Sequence, residues 1–159
     1  MKNTGQIKYP PYIDEVSMYL GRLRDMHNVT LNSSTEKFNR GDRSGDVNIL
    51  GVKGELIFAH HLWMLDVNFM QCDILSGRPV SGADFVLDYV RIDVKTIRAD
   101  ATDLLVNYDA HHKEKDVTHY AFIQITSPGI ARYWIHSKDS VSKWKVKNVR
   151  YSNAYYRPI

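Results

Sequence analysis

The chain contains a single cysteine, Cys72, in 159 residues. One thiol excludes an internal disulfide framework and a four-cysteine zinc site. Long apolar runs are missing as well. Stretches such as 120–123 have the size of a core strand, far below the roughly 18 residues of a membrane span. Residues 1–12 hold no apolar stretch suited to a secretory signal. No internal repeat is present, no GxxxxGK[ST] or GxGxxG phosphate loop, no HExxH, and no serine or cysteine nucleophile signature. The seven histidines include the adjacent pairs His60–His61 and His111–His112. Neighbouring residues on a helix or strand point apart, so neither pair chelates one ion. The expectation is a soluble, cytoplasmic, one-domain protein that does not use covalent catalysis or a zinc centre.

What is present is an ordinary globular composition, 43% hydrophobic and 25% charged, with a formal net charge of +3. The distribution of that charge says more than its size. Residues 138–157 carry six bases (Lys138, Lys143, Lys145, Lys147, Arg150, Arg157) and one acid, Asp139, a local +5 that leaves −2 for the rest. Trp144, Tyr151, Tyr155 and Tyr156 interleave with them. Bases among aromatics suit a phosphate backbone and exposed nucleobases; the other reading is a solvated end whose aromatics cover the core.

Hydrophobic spacing predicts a helix over 12–26 behind Pro10 and Pro11, through Ile13, Val16, Tyr19, Leu20 and Leu23. The polar stretch 27–45 reads as a long loop. A second helix over 46–65 is predicted to bury Ile49, Val52, Leu56, Ala59 and Trp63. It accepts Gly51 and Gly54, each costing about 1 kcal/mol relative to alanine, which points to close approach to a sheet or a ligand. Strands are predicted over 83–87, 90–97, 103–107, 117–126 and 131–136, with a helical turn or loop at 109–115 and a short helix at 137–144. This order gives an α/β fold: a mixed central β-sheet flanked by helices, with an added N-terminal helix. The chain divides into an N-terminal helix and loop (1–45), a catalytic core (46–136) and a basic aromatic segment (137–159).

The segment GADFVLDYVRIDVKTIR, residues 82–98, carries the chemistry. A tight turn at Asp88–Tyr89 sets Leu87 opposite Val90, Phe85 opposite Ile92 and Asp84 opposite Asp93. In that register Phe85, Leu87, Val90, Ile92 and Val94 share one face, as a hairpin packed on a core requires. The other face sets Asp84 against Asp93, with Lys95 two positions along. Opposed Cβ atoms lie about 5 Å apart, and like charges there are unfavourable. A cation between the carboxylates relieves them, and Mg²⁺ takes one or two carboxylates with water and phosphate oxygens in its remaining positions. Lys95 alone is the structural alternative.

Asp84 followed by Asp93-x-Lys95 on the next strand, behind Glu55 in a helix, resembles the PD-(D/E)xK nuclease superfamily, which has the restriction-endonuclease-like fold. The resemblance covers roughly residues 46–136 and includes the order of elements; Ala83 stands where the family name has proline. It implies a Mg²⁺-dependent deoxyribonuclease, with Mn²⁺ as a substitute ion and an endonuclease as the expected type. Asp84, Asp93 and the Val94 main-chain carbonyl would hold the metal, Glu55 would bind a second ion or water on the first, and Lys95 would orient and help deprotonate the attacking water. Gln124 and Thr96 are accessory positions, Gln124 having a purely structural reading as well. Lys143, Lys145, Lys147, Arg150 and Arg98 are the expected DNA contacts. A homodimer is the simplest arrangement for cutting both strands. The alternative is a non-catalytic nucleic-acid-binding protein with the same fold.

Overall fold

The computed structural model describes residues 2–31, 44–72, 74–75, 82–149 and 152–159. Most of the expected 27–45 loop, and the Arg150 and Tyr151 positions, lie outside these. The elements run β1 (Thr4–Lys8), α1 (Tyr12–Leu31), α2 (Ser44–Met64), β2 (Met70–Gln71), β3 (Phe85–Leu87), β4 (Val90–Ile97), β5 (Asp103–Asn107), α3 (Tyr108–Lys113), β6 (His119–Ser127), β7 (Ile130–Ser137), α4 (Lys138–Val141), β8 (Lys145–Val149) and β9 (Ser152–Pro158). The chain is mixed α/β. A six-stranded sheet has the order β1-β7-β6-β4-β3-β2, and a three-stranded sheet the order β5-β9-β8. In the larger sheet β4 and β6 are parallel and the other pairs antiparallel.

Alternation along β4 and β6 explains the layering. Ile92 and Val94 on β4, with Ala121 and Ile123 on β6, pack under Ile57, Phe58 and Leu62 of α2. Tyr120 and Phe122, from the opposite side of β6, pack with Leu104, Val106 and Tyr155 of the small sheet. Helices therefore cover one face and a second sheet the other, where flanking helices were expected. The basic aromatic segment is not a free tail: β9 pairs with β5 from Asp103↔Pro158 to Asn107↔Ala154. Likewise β1, which the sequence pattern did not reveal, pairs with β7.

α2 keeps close to its expected bounds, whereas α1 runs on to Leu31, five residues into the expected loop, and both helices turn differently from the expected stripes. On α2, Val52, Ile57, Phe58 and Leu62 are fully buried while Trp63 is 69% exposed. The expected stripe of Leu56, Ala59 and Trp63 instead lines a shallow groove with Tyr12, Ile13 and Val16 of α1. Both sides of α2 are apolar, so periodicity alone did not select the inward one. On α1 the buried positions are Ile13, Ser17, Gly21 and Arg24, one helix face, whereas Val16 and Tyr19 are exposed. Gly21 permits this contact, since a Cβ there would sit 2.5 Å from the Ile49 Cα. Gly54 has the same role against the sheet. A Cβ on Gly54 would fall on Thr96 of β4, so α2 rides close over that strand. None of the helices among the described residues is long and apolar enough to cross a membrane.

Candidate active site

The hairpin register is the one the alternation demands: Phe85↔Ile92, Val86↔Arg91 and Leu87↔Val90. Its turn places Asp88 at φ 46, a left-handed conformation that aspartate tolerates better than most residues. Asp84 lies just before β3, its N–H donating to Ile92 O at 2.8 Å and its O accepting from Cys72 N at 2.8 Å. Its Oδ2 accepts from the Val94 N–H at 2.7 Å. The side chain thus reaches across to β4, where Asp93 and Lys95 stand.

Lys95 Nζ lies 2.6 Å from Asp93 Oδ2. Asp93 is 5% exposed and also approaches the carboxylates of Asp84 and Glu114 closely. From α2, Glu55 (6% exposed) interacts electrostatically with Asp84, Asp93 and Lys95. Glu55, Asp84, Asp93 and Lys95 are therefore brought together by two strands and the helix above them. Gly54 and Thr96 help to set the height of that helix, so Thr96 acts against α2: its hydroxyl faces Gly51 O at 3.4 Å.

Crowded carboxylates resist ionisation. Burial, then the Glu55 and Asp93 charges, push the Asp84 carboxyl up to about 8, against the pull of the Val94 N–H and Lys95. Burial also raises Asp93 against the pull of Lys95, and raises Glu55 against that of Arg24. Burial works against the charge of Lys95, but Asp93, Glu114 and Asp84 outweigh it and hold the ammonium above its usual range. Lys95 is accordingly a fixed positive charge in this arrangement.

Two residues of the site were not found from sequence. Arg24 of α1 donates from Nη1 and Nη2 to the two Glu55 oxygens, each at 2.9 Å, and from Nε to Ile74 O at 2.6 Å. Its position on a helix face of Ser17 and Gly21 gave no apolar signal. Glu114 follows α3, and burial followed by the charge of Asp93 raises its pKa.

The remaining predicted positions are more dispersed. Gln124 Nε2 donates to the carbonyls of Arg98, Ala99 and Ala101 at 3.1–3.3 Å, which is the structural role: it ties down the β4–β5 connection. Arg98 is exposed, pairs with Asp100 at 3.4 Å, and lines a cleft of about 720 Å³ with Asp46 and Lys53. Lys143 and Lys145 are exposed. Lys147 pairs with Asp103 at 2.5 Å and lies over the Tyr156 ring, 4.6 Å from its centroid. Trp144 and Tyr155 belong to the packing beneath the small sheet; for these two the core-covering reading applies. His111 is buried between Tyr120 OH and Ser142 Oγ, each at 3.0 Å.

Among the described residues no group of three or more His, Cys, Asp or Glu side chains forms a ready-made metal cage. Mg²⁺ does not require one: one or two carboxylates, with water and substrate phosphate, complete its shell. The adjacent Asp84 and Asp93 are hard oxygen donors, and the Glu114 carboxyl hydrogen-bonds Asp93 beside them. The donor chemistry therefore fits a divalent cation. Comparison with protein-family models, curated proteins and solved structures finds no match in any of the three.

Proposed function

We propose that the chain is a metal-dependent nuclease that hydrolyses DNA phosphodiester bonds on a restriction-endonuclease-like core. The observation that carries this reading is the convergence of Glu55, Asp84, Asp93 and Lys95 at one place in the fold, with the Lys95 ammonium 2.6 Å from Asp93. A fold gains no stability from three acids crowded in a partly buried space, whereas a cation-dependent hydrolase needs them.

Asp84, Asp93 and the Val94 carbonyl would hold a divalent ion, with Glu55 reaching it through water. When bound, the ion polarises a phosphoryl oxygen and lowers the pKa of its water. Val94 N–H fixes the Asp84 carboxylate before substrate arrives, and Arg24 fixes that of Glu55. Preorganised groups of this kind need no rearrangement as charge develops. Lys95 sets a positive charge beside the attacking water and the phosphate, orienting the one and stabilising negative charge on the other. The attacking water releases a proton to solvent as its oxygen bonds to phosphorus, the bond to the leaving sugar oxygen breaks, and a solvent water returns a proton to that oxygen. Exposed Lys143, Lys145 and Arg98 supply phosphate contacts away from the reacting bond.

Purified protein is incubated with supercoiled plasmid, linear duplex, single strands and a four-way junction, with Mg²⁺, Mn²⁺ or EDTA. Cleavage is expected only with metal, and is expected to vanish in Asp93→Asn and Lys95→Ala while their circular dichroism stays that of wild type. DNA binding with no cleavage of any substrate in either metal would instead make the chain a binding protein.

A further inference from the structure

The side chains that α1 turns inward are mostly small or polar: Ser17, Gly21 and Arg24 behind Ile13. Its largest apolar side chains point elsewhere. Tyr12, Val16, Tyr19, Leu23 and Met26 recur at steps of four and three, a stripe along one flank of the helix. Leu23 is half-buried and the other four are exposed, Tyr12 at 58% and Tyr19 at 67%. The stripe runs into the shallow groove where Tyr12 and Val16 meet Leu56, Ala59 and the exposed Trp63 of α2.

An aromatic side chain takes about 150–250 Å² out of water when buried, so Tyr12, Tyr19 and Trp63 leave roughly 300–500 Å² of it exposed. A contiguous apolar patch of that size marks an interaction site. Val16, Met26 and the charged rim bring it toward the roughly 800 Å² that each partner of a stable pair covers.

Charge and spacing identify the partner. Set as a coiled-coil seam, Val16 and Leu23 take the a positions and Tyr12, Tyr19 and Met26 the d positions. Glu15 and Arg22 then hold the g positions on one side of the seam. Both are exposed, and neither forms an ion pair with another described residue. Ile13 and Leu20 hold the e positions on the other side, where Ile13 lines the α2 groove. Parallel helices pair g with e, which would set each charge against an aliphatic side chain. Antiparallel helices pair g with g and e with e. Tyr12 then layers on Leu23 and Val16 on Tyr19, while Glu15 of one copy faces Arg22 of the other, twice about a twofold axis. The flank is complementary to itself in that one orientation.

We propose that this flank of α1, with Trp63 of α2 beside it, is the contact surface for a second copy of the chain, the two α1 helices packing antiparallel across a twofold axis. The pairing does not depend on the chemistry proposed above.

Sedimentation velocity and light scattering over a range of protein concentrations test it, with circular dichroism on every variant. Wild type is expected to be dimeric at micromolar concentration. Tyr19→Glu puts a carboxylate near the centre of the seam and is expected to raise the dimer dissociation constant at least about a hundredfold. Glu15→Arg and Arg22→Glu each set like charges across the axis twice, and each is expected to weaken the dimer about tenfold. Glu15→Arg/Arg22→Glu is expected to return to wild-type affinity, and an equimolar mixture of the two single variants to form the mixed pair. The charge variants leave the seam intact and serve should Tyr19→Glu fail to fold. Wild-type protein that stays monomeric throughout the range overturns the proposal, as does a dimer indifferent to Tyr19→Glu. A dimer that Tyr19→Glu breaks but neither charge reversal weakens overturns the antiparallel pairing.

Discussion

Gly51 and Gly54 lie one turn apart on α2, and the structure assigns their replacement by alanine opposite signs. At Gly51 the nearest atom to an added Cβ is Arg24 Nη1 at 3.6 Å, an ordinary contact with the tip of a long side chain. Alanine there gains helix propensity, about 0.5–1 kcal/mol. At Gly54 the same Cβ meets Thr96, with its Cβ at 2.8 Å and Cγ2 at 2.9 Å as well as the hydroxyl. Rotating the threonine moves the hydroxyl and the methyl, but its Cβ is fixed to the β4 backbone. The clash must therefore lift α2, at the upper end of the roughly 1–3 kcal/mol that overpacking costs. Offset by the propensity gain, Gly54→Ala is expected to lose about 2 kcal/mol, roughly 4–8 °C in melting temperature for a chain of this size. Gly51→Ala is expected to gain a few degrees. Urea denaturation and calorimetry in EDTA measure both. Thr96→Ala in the Gly54→Ala background removes two of the three close atoms and is expected to restore part of the loss. Equal stability of the two glycine variants would refute the claim that α2 is seated on Thr96.

Arg24→Met leaves Glu55 buried without its partner; breaking such a pair costs about 3–5 kcal/mol, so a marked fall in urea midpoint is expected. Arg24→Met/Glu55→Leu is expected to recover most of it, and a double variant no more stable than Arg24→Met would show that the pair is not an isolated unit. Acid stability depends on His111. Ser142 Oγ donates to Lys138 O at 3.1 Å, so His111 Nε2 donates to Ser142, and its Nδ1 accepts from Tyr120 OH. Burial, then the charges of Lys138 and His112, hold its pKa below the ordinary value. The unfolded chain takes up this proton first, so stability is full above about pH 6.5 and falls as pH drops through and below it. His111→Gln is expected to melt well below wild type at pH 7.5 and to close much of that gap by pH 5; a gap independent of pH would contradict the neutral, doubly bonded imidazole.

The parts of the site readable from sequence are those set by short-range geometry. An even turn between Leu87 and Val90 and the alternation of Phe85, Ile92 and Val94 leave one register, Phe85↔Ile92. Asp84 lies just before the paired residues and its N–H donates to Ile92 O, so the expected Asp84–Asp93 pair is not part of the ladder although the two carboxyls meet. The resemblance to a known nuclease pattern then extended to Glu55, which is indeed buried beside the hairpin. The helix face carrying Glu55 was less legible, because α2 is apolar on the Leu56–Ala59–Trp63 side as well as on the Ile57–Phe58–Leu62 side. Only packing against Thr96 decides between them. The small sheet was hidden for another reason. β8, with the sequence KVKNV, reads as a charge run until β9 pairs with it on one side and with β5 on the other.

Arg24 and Glu114 mark where such reading stops. Each matters through a carboxylate distant in sequence: Arg24 is 31 residues from Glu55, and Glu114 reaches Asp93 from a different connection. An arginine on α1 is an ordinary surface residue unless that face turns inward, and it turns inward because Gly21 lets α1 meet Ile49 closely. A glutamate after Lys113 is an ordinary solvated residue unless Gly82 has no side chain to exclude it. In both cases a glycine elsewhere admits the charged residue to the site. Acidic motifs can be found by pattern because their spacing is local, whereas the groups that balance and complete them are placed by packing. Three bare positions do that placing: Gly21 for Arg24, Gly54 for Glu55 and Gly82 for Glu114.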